Sequence, residues 1–295
     1  MSRIPNLRCA AAATFAAVVG AMAVAPAEAA VVISYPGFTG ACSVGGGLTC
    51  VGNTTITGGG ALRLTPAATS QAGAGYSTTA ITLGAGATFS TTFQFLITDR
   101  GGINPADGLT FVVAAATAGL GGLGGGLGYL GVPNSVAVEF DTYDNGEVGG
   151  SNHVGVDSNG VLANNGVNPY GVSNCGSTSG FVLGCMSNGD IWTATIDYDG
   201  STNLLNVYVQ DGGSAVQHII SGMSINISTL LGTNTAFVGF TSGTGSGFAN
   251  HDILNWSLAN DRSLGTPPGV PEPGSLALVG AGLLGAAWAR RRRNA

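Results

Sequence analysis

The feature that most constrains this chain is a pair of acidic residues inside an apolar run, Val136 to Asp141, with the sequence VAVEFD. Successive side chains of a β-strand point to opposite faces, so Glu139 and Asp141 share one face. Burying two like charges side by side is costly through desolvation and repulsion unless a cation compensates them. The run therefore predicts a buried strand with a cation-binding face.

A polar, glycine-rich loop follows this strand and leads back to His153. The loop brings Asn145, Glu147 and His153 towards the carboxylates. Carboxylate, amide and carbonyl oxygens suit Ca²⁺, and an added imidazole suits an ion such as Mn²⁺. We expect two neighbouring cations that share Asp141. The alternative is an acidic hairpin exposed to solvent.

The loop resembles the metal-binding loop of the legume, or L-type, lectins at five positions: Glu139, Asp141, Tyr143, Asn145 and His153. The resemblance implies that these residues bind Ca²⁺ and Mn²⁺, with the carbonyl of Tyr143 as a calcium ligand. The chain departs from the family pattern where an Asp would bridge the two ions, because that position is Val148 and the loop is two residues shorter. Glu147 is the nearest substitute, and its longer side chain can make up the offset.

Composition favours β structure over helices. Only 8% of the residues are charged, 51 are Gly, and there is no Lys; such a chain favours extended strands and tight turns. The resemblance implies an all-β, concanavalin-like β-sandwich (jelly roll) of two antiparallel sheets over residues 30–262. Predicted strands are Val31 to Ser34, Ala61 to Thr65, Ser77 to Leu83 and Ala87 to Ile97, followed by a hairpin of Trp192 to Tyr198 and Leu204 to Val209.

The charge of this domain excludes one class of partner. Between Val31 and Arg262 the chain has three Arg and thirteen acidic residues, a net charge of 3 − 13 = −10. Such a surface does not bind nucleic acid by neutralising phosphates. It is compatible with cations and with neutral ligands.

The resemblance also implies a sugar site. Ala106-Asp107-Gly108 is similar to a segment that in the lectins has a cis peptide bond before the Asp, whose carboxylate faces the sugar. Alignment of Tyr129-Leu-Gly with the family pattern makes Gly128 a backbone N–H donor to a sugar hydroxyl. The specificity loop falls at Ser246 and Gly247. The complete set of expected carbohydrate-binding residues is Asp107, Gly128, Tyr143, Asn145, Ser246 and Gly247, with the ring of Tyr143 stacking on the sugar.

The two ends of the chain carry targeting features. Residues 1–29 combine two Arg, an apolar stretch and Ala27-Glu28-Ala29, which predicts a secretory signal peptide, with an uncleaved anchor as the alternative. Residues 263–269 are the predicted linker. Residues 270–295 contain Val270-Pro-Glu-Pro-Gly, an apolar run and four Arg, and resemble the PEP-CTERM sorting signal. That resemblance implies a transient membrane anchor cut by an exosortase-type enzyme; a permanent anchor is the alternative.

Export makes the cysteines interpretable. Once the signal peptide is removed, Cys42, Cys50, Cys175 and Cys185 remain. Two disulfides are expected in an oxidising compartment. Three pairings are open in principle, and proximity along the chain favours Cys42–Cys50 and Cys175–Cys185. Neither pair has the two-residue spacing of zinc ligands.

These features predict an exported protein that is not an enzyme and that binds a neutral glycan or exopolysaccharide at a shallow, calcium-organised site. We expect it at the cell surface or in the extracellular matrix of a Gram-negative bacterium, after sorting at the inner membrane. Two alternatives stay open. One is a structural matrix protein with a degenerate sugar site, which Val148 supports. The other is a glycoside hydrolase that uses Glu139, Asp141 and Asp144, since paired carboxylates flank the scissile bond in such enzymes.

Overall fold

A computed structural model describes most of the predicted domain, namely residues 31–43, 45–84, 86–117, 119–163, 169, 171, 175 and 184–260. The predicted signal peptide, linker and sorting tail lie outside these residues. Across the described ranges, no helix has both the length and the hydropathy that a membrane crossing requires.

The described residues form fifteen strands, one short α-helix and one turn of 3₁₀-helix at Gly124–Gly126. The α-helix, α1, spans Ile227–Leu231. In chain order the strands are β1 Val31–Tyr35, β2 Leu48–Gly52, β3 Thr55–Ile56, β4 Leu62–Thr65, β5 Ala72–Ser77, β6 Ile81–Thr82, β7 Thr88–Gly102, β8 Gly108–Ala114, β9 Ser135–Asp141, β10 His153–Ser158, β11 Trp192–Asp199, β12 Leu204–Asp211, β13 Gln217–Ser224, β14 Thr235–Gly243 and β15 Gly247–Asn260.

These strands build two antiparallel sheets. One sheet has the order β13-β12-β11-β7-β15-β4-β3, with β1 also paired to β15. The other has the order β10-β9-β8-β14-β5-β2, with β6 paired to β14. The predicted all-β sandwich of two antiparallel sheets is confirmed, and the predicted hairpin coincides with β11 and β12.

The alternation of side chains along β9 explains how one strand serves both the core and a polar face. Val136, Val138 and Phe140 are buried in the main hydrophobic core between the sheets. Ala137 instead belongs to a second, smaller cluster, which also contains Tyr129 and Val132 of the glycine-rich segment. We call the side of the seven-stranded sheet that faces away from the main core the outer face. By the period of two, Glu139 and Asp141 lie on that outer face with Ala137.

Aromatic rings from both sheets fill the centre of the main core. The ring of Phe240 on β14 lies 4.9 Å from the ring of Phe93 on β7 and 4.9 Å from that of Trp256 on β15, in edge-to-face arrangements. Phe140 on β9 packs against Phe95 on β7 at 5.3 Å. Edge-to-face pairs add to the free energy gained by burying apolar area, so these contacts fix the two sheets against each other.

One predicted strand differs from the structure. The expected strand Ser77 to Leu83 is divided between β5, which ends at Ser77, and β6. The reason is a local turn: the N–H of Thr79 donates to the hydroxyl of Ser77, and the N–H and hydroxyl of Thr78 both donate to the carbonyl of Gly47. Side-chain hydrogen bonds of this kind compete with the sheet ladder.

Both predicted disulfides are confirmed. Cys42 is bonded to Cys50 and Cys175 to Cys185. The first bridge joins the start of the domain to β2. In the second bridge, the residues on either side of Cys185 contact Asn152, whose side chain donates to the carbonyl of Gly184 and accepts from the N–H of Met186. The second bridge therefore lies close to the strand that carries His153.

A buried row of polar groups connects β15 to the start of β8. His251 is fully buried, and its Nδ1 lies 2.8 Å from the hydroxyl of Thr65. That hydroxyl lies 3.1 Å from the hydroxyl of Ser242, which donates to the carbonyl of Gly108. His251 is therefore a hydrogen-bonding residue of the interior.

We predict that His251 makes the fold sensitive to acid. Complete burial lowers the pKa of His251 to about 3, whereas an unfolded histidine titrates near about 6.5. Between these values the unfolded chain binds a proton that the folded chain does not, so stability is lost as the pH falls through this range. Relative to His251→Gln, the wild type should lose about 1.4 kcal/mol more per pH unit. Urea unfolding at several pH values within the range measures this.

The matched control is His218→Gln, which removes an exposed imidazole from β13. Because His251 is still present in this variant, it should keep the additional loss of stability that separates the wild type from His251→Gln. Equal pH slopes for the wild type and His251→Gln would show that burial does not keep His251 neutral.

Candidate functional site

The outer face of β9 and β10 gathers three charged groups. The antiparallel register places His153 opposite Asp141 and Gly155 opposite Glu139. Ligand atoms of Glu139, Asp141 and His153 lie within 4.8 Å of one another, and all three residues are buried. The Nε2 of His153 lies 3.1 Å from Oε1 of Glu139, and its Nδ1 lies 2.8 Å from the carbonyl of Gly150. The pairing of two strands thus creates a compact cluster of nitrogen and oxygen donors.

Gly155 makes this cluster possible, and reasoning from the sequence missed it. A Cβ at position 155 would lie 2.2 Å from Oε1 of Glu139, closer than atoms approach without a covalent bond. The carboxylate of Glu139 therefore occupies the space that a side chain at 155 would fill. The spacing of Gly155 two residues after His153, on the same face of the strand, was the signal that could have identified it.

The electrostatics of the cluster show an excess of buried negative charge. Burial raises the pKa of Asp141 well above its usual range, although the nearby His153 and the N–H of Tyr143 partly oppose this effect. Burial alone would lower the pKa of His153, but its hydrogen bond to Glu139 and the charges of Asp141 and Glu139 raise that pKa to about 9. The two shifts have different main causes: desolvation disfavours the charged form of Asp141, whereas the neighbouring carboxylates favour the protonated form of His153.

The donor set fits a divalent cation. Oε2 of Glu139 is buried and has no hydrogen-bond partner among the described residues, although buried carboxylate oxygens are ordinarily satisfied. Oxygen donors with a single imidazole suit a borderline ion. Glu139, Asp141 and His153 would hold such an ion, which would compensate their charge and fix their side chains.

The loop after β9 directs Glu147 and Val148 in different directions. Oε1 of Glu147 is buried and lacks a hydrogen-bond partner among the described residues, and Glu147 raises the pKa values of Asp141 and Asp107 through its charge. Val148 is 71% exposed. Glu147 therefore lies near the cluster, while the side chain at the family's bridging position points to solvent.

Tyr143 and Asn145 lie at the surface beside this cluster. The N–H of Tyr143 donates to Oδ1 of Asp141 at 2.7 Å, and Tyr143 is half-buried. Asn145 is exposed. A Cβ at Gly125 would lie 2.5 Å from Nδ2 of Asn145, so the amide of Asn145 lies directly against the 3₁₀ turn.

Asp107 lies between the cluster and the end of β14. The Ala106–Asp107 peptide bond is cis, as the resemblance implies. The N–H of Asp107 donates to the carbonyl of Gly243, and its carbonyl accepts from the N–H of Thr142. Since Thr142 directly follows Asp141, one backbone hydrogen bond separates Asp107 from the strand that carries the charged cluster.

The carboxylate of Asp107 has one oxygen without a partner. Oδ2 is buried and makes no hydrogen bond within the described residues. It lies near the glycine backbone, because a Cβ at Gly124 or at Gly245 would lie 3.8 or 3.6 Å from it. Burial raises the pKa of Asp107 to about 7, and a hydrogen bond from the backbone of Gly245 partly opposes this shift. Asp107 and Asn145 thus lie near two consecutive glycines of the 3₁₀ turn, Gly124 and Gly125.

The structure gives Gly128 a different role from the one we expected. Gly128 is buried, and its N–H donates to the carbonyl of Gly122 at 2.9 Å. That N–H is engaged inside the glycine-rich segment and does not point to a ligand. A Cβ at Gly128 would lie 2.6 Å from the carbonyl oxygen of Ser242, so its small size serves packing on β14. Gly124 and Gly125 are the glycines beside Asp107 and Asn145.

Ser246 and Gly247 end the turn between β14 and β15. Ser246 is exposed, whereas Gly247 is buried and pairs with Gly102. A Cβ at Gly247 would lie 2.4 Å from the carbonyl oxygen of Asn104 and 2.9 Å from Cβ of Ala106. This turn therefore lies against the segment that leads into Asp107.

Thr241 holds the glycine-rich segment onto the sheet. Its hydroxyl donates to the carbonyl of Leu127 at 2.8 Å and lies 2.7 Å from the hydroxyl of Thr110. The N–H of Gly124 donates to the carbonyl of Thr244. A segment with few side chains of its own is thus positioned by residues of β8, β14 and the following turn. Sequence reasoning did not assign these threonines a role.

The two-sheet fold and the cluster on the outer face define a concanavalin-like sandwich of the lectin type. The legume lectin domain model matches residues 31–268. The PEP-CTERM protein-sorting motif matches residues 269–293. The chain belongs to the legume lectin family and carries a PEP-CTERM sorting motif after its lectin domain.

Individual relatives agree with this assignment. The chain is 33% identical to L-type lectin-domain containing receptor kinase VIII.1 of Arabidopsis thaliana over 193 residues, which cover 61% of this chain and 25% of the kinase. It is 30% identical to a lectin of Pisum sativum over 187 residues, covering 58% of this chain and 62% of that lectin. The chain thus spans less than two thirds of the length of either relative.

A solved structure shows the same architecture. Peanut lectin, determined with a nine-residue peptide, superposes with a TM-score of 0.63 at 25% sequence identity. The match covers 79% of this chain and 98% of peanut lectin. Nearly the whole lectin therefore has a counterpart in this chain.

We predict that divalent ions stabilise the protein through Glu139. At about one hundred times its Kd, a bound ion adds about 2.7 kcal/mol, which corresponds to a rise in Tm of about 5–10 °C for a domain of this size. Glu139→Gln should lose most of the rise produced by Mn²⁺, because the buried carboxylate is removed. Differential scanning calorimetry with and without Mn²⁺ or Ca²⁺ measures the effect.

Asp144→Asn is the matched control, since Asp144 is an exposed acidic residue of the same loop. It should keep the full rise in Tm. An equal rise in the wild type and Glu139→Gln would place ion binding elsewhere.

A second prediction concerns Gly125. In Gly125→Ala, the new methyl group would overlap the amide of Asn145 and turn that flexible side chain away. If these residues bind a glycan, its affinity should fall at least about tenfold in this variant, as for the loss of a well-placed hydrogen-bonding group, with little change in Tm. Isothermal titration calorimetry with a bound glycan and thermal unfolding measure the two quantities.

Gly122→Ala provides the control within the same segment, because its methyl group would make only an ordinary contact, 3.4 Å from Leu130. Unchanged binding in Gly125→Ala would show that the position of Asn145 is not required for glycan recognition.

Proposed function

We propose that this protein is an exported lectin that binds a neutral glycan or exopolysaccharide at a shallow, calcium-organised site. The single observation that carries the proposal is the buried Oδ2 of Asp107, which has no hydrogen-bond partner among the described residues and lies near Gly124, next to the Gly125 that contacts the amide of Asn145. A buried acceptor without a partner is costly unless a ligand supplies a donor. Sugar hydroxyls are such donors.

Each binding residue has a chemical role in this proposal. Asp107 accepts hydrogen bonds from sugar hydroxyls, and Asn145 can both donate and accept. Tyr143 presents its ring to the apolar face of the sugar. Ser246 and Gly247 border the site and set its shape. The backbone of Gly124 and Gly125 takes the place first expected for Gly128, because the N–H of Gly128 is already bonded within the loop.

Bound cations would act on the sugar-binding residues indirectly, by ordering the oxygen ligands next to them. Glu139, Asp141 and His153 are expected to hold a transition ion such as Mn²⁺, and Asp141, the carbonyl of Tyr143 and Asn145 are expected to hold Ca²⁺, with Glu147 in place of the missing bridging Asp. When bound, the ions would supply positive charge that orders these oxygens. The hydrogen bond from the N–H of Thr142 to the carbonyl of Asp107 would then hold the backbone of Asp107, and with it the sugar-binding carboxylate, in place.

The sorting motif supports a proposal about location. A PEP-CTERM motif implies processing by an exosortase-type enzyme, so the predicted route is a signal peptide, a transient inner-membrane anchor and release to the cell surface or extracellular matrix. We propose a Gram-negative bacterium as the host of this route. A protein that binds exopolysaccharide would link the matrix to the cell surface there.

The second candidate function is a structural matrix protein with a degenerate sugar site. The exposed Val148 and the internally bonded N–H of Gly128 favour it. The inward position of Glu147 favours the lectin instead, because a carboxylate is available near the place where the bridging residue is missing.

The hydrolase alternative fits the geometry less well. Glu139 is 0% exposed and hydrogen-bonded to His153, and Asp141 is 3% exposed. A carboxylate that protonates or attacks a glycosidic bond must reach the substrate. Only Asp144 of the three proposed catalytic residues is exposed.

A glycan array tests the proposed function. The mature domain, loaded with Ca²⁺ and Mn²⁺, should bind a defined set of glycans, lose binding in a chelator and recover it when Ca²⁺ is restored. Asn145→Ala should weaken binding at least about tenfold. Asn234→Ala, an exposed Asn at the far end of β14 from the site, should bind as the wild type does.

Two outcomes decide against the lectin. If the folded, ion-loaded domain binds no glycan, the structural matrix protein is the function that remains. Release of reducing ends from a surface polysaccharide, abolished in Glu139→Gln, would instead indicate an enzyme.

A further inference from the structure

A row of polar side chains crosses the eight-stranded sheet on the side that faces away from the main core, which we call the back face. Along each strand, side chains alternate between the core and this face, and Phe93, Val209 and Trp256 are among the core-facing neighbours. The strand pairings place one back-face residue of each of six strands directly opposite the next; from β13 to β1 these are His218, Tyr208, Thr195, Thr92, Ser257 and Ser34. We call them the polar row. At a strand spacing of about 4.8 Å, the row is about 24 Å long.

One end of the polar row opens into a pocket where β15 changes its partner strand. β15 pairs with β4 as far as Ile253 and with β1 from Trp256 onwards. The pocket has a volume of about 210 Å³ and is lined by Ser34, Tyr35, Pro36, Asn255, Trp256 and Ser257. A water molecule occupies about 30 Å³ in the liquid, so the pocket has room for about seven waters, the scale of one sugar ring.

The other end of the polar row presents two stacked rings. The ring of Tyr208 lies nearly parallel to the imidazole of His218, with centroids 4.2 Å apart and an angle of 19° between the planes. Nε2 of His218 lies 3.1 Å from Oδ1 of Asn206, which fixes the orientation of the stack. His218 is exposed and Tyr208 is partly exposed. Such side chains offer a ligand an apolar body and a polar tip.

The hydroxyls of the polar row are largely free to bind a ligand. The hydroxyls of Ser34, Ser257 and Tyr208 make no hydrogen bond with another residue that the structure describes. The hydroxyl of Thr92 lies 3.0 Å from that of the buried Thr195, but a hydroxyl has one donor and two acceptor positions, so Thr92 can bond further. The row therefore repeats groups that both donate and accept, as sugar hydroxyls do.

The charge of the back face indicates which ligand it takes. The polar row contains no acidic residue and no Arg, within a domain whose net charge is −10. The carboxylate of Asp197, in the adjacent row, accepts a hydrogen bond from Ser90. An anionic polymer would find no Arg or Lys in the row and would be repelled by the domain as a whole. A protein partner is also disfavoured, because Ser and Thr are under-represented among the residues that dominate the energy of protein interfaces.

We infer that the polar row is a second glycan-binding site, which takes one uncharged polysaccharide chain lying across the strands. One hexose would occupy the pocket beside Ser34 and Ser257, and another would lie against Tyr208. The inference goes beyond the proposed function, because the row has no carboxylate and its binding needs no divalent ion. The back face and the outer face lie on opposite sides of the sandwich, so one molecule could hold two polysaccharide chains and cross-link them.

Affinity electrophoresis tests the inference. The mature protein is run in native gels that contain EDTA and one soluble polymer, either a neutral, unbranched glucan, mannan or galactan, or a polyuronate. At least one neutral polymer should retard the wild type in EDTA, and the polyuronate should not. Circular dichroism checks that the protein stays folded without ions. Asn145→Ala, run with Ca²⁺ and Mn²⁺ present, makes the same measurement with the proposed ion-dependent site disabled.

Variants assign the retardation to the polar row. Ser257→Glu places a longer, charged side chain at the wall of the pocket and should abolish retardation; Ser34→Glu, at an exposed position of the same pocket, repeats the test. Tyr208→Ala removes the ring at the other end and should weaken binding about tenfold. Thr79→Glu is the matched control, because it adds the same charge at an exposed turn before β6, which pairs with β14 of the other sheet.

The outcomes separate this inference from the proposed function. If no neutral polymer retards the folded protein, or if retardation persists in Ser257→Glu, Ser34→Glu and Tyr208→Ala, the second site is overturned and the ion-dependent lectin is unaffected. A mass twice that of the monomer by light scattering, lost in Ser257→Glu and without polymer binding, would show that a second copy of the chain covers the back face. Loss of ion-dependent glycan binding alone would overturn the proposed function and leave the second site.

Discussion

The hydrogen bond between His153 and Glu139 is the interaction on which the arrangement of the site depends. It joins two adjacent strands on a face that solvent does not reach. Two carboxylates at this depth need positive charge nearby, and the imidazole supplies part of it. Oε2 of Glu139 has no hydrogen-bond partner within the part of the chain that the structure describes, so these residues do not satisfy the remainder. A bound cation would complete the electrostatics of this cluster.

The same strand also contributes to the core, so the site shares the rigidity of the fold. Phe140 packs against Phe93 and Phe95 from the opposite sheet, while its neighbours on both sides along the chain face outward. Thr142, which directly follows Asp141, donates its N–H to the carbonyl of Asp107. The N–H of Asp107 in turn donates to the carbonyl of Gly243 on β14. The backbone of Asp107 is thus held by two strands of one sheet and not by a free loop.

The family resemblance implied the sandwich, proximity along the chain favoured the two disulfides that form, and the local pattern predicted the return of His153 towards Glu139 and Asp141. The local pattern does not show which residues become neighbours across strands. Gly155 and Thr241 matter because of register and loop placement, which join residues far apart in the chain. The sequence also did not show that the N–H of Gly128 is bonded to Gly122, because several glycines in one segment are equivalent in sequence and only the fold decides which N–H groups are engaged internally.

The attachment of the glycine-rich segment to Thr241 and Thr244 has an evolutionary consequence. The shape of this segment is specified by hydroxyl and carbonyl groups of the sheet beneath it, while its crest around Leu123 is exposed. Residues at the crest can therefore be exchanged while the anchoring hydrogen bonds hold the rest in place. A scaffold of this kind can diversify the surface that it presents without altering its interior.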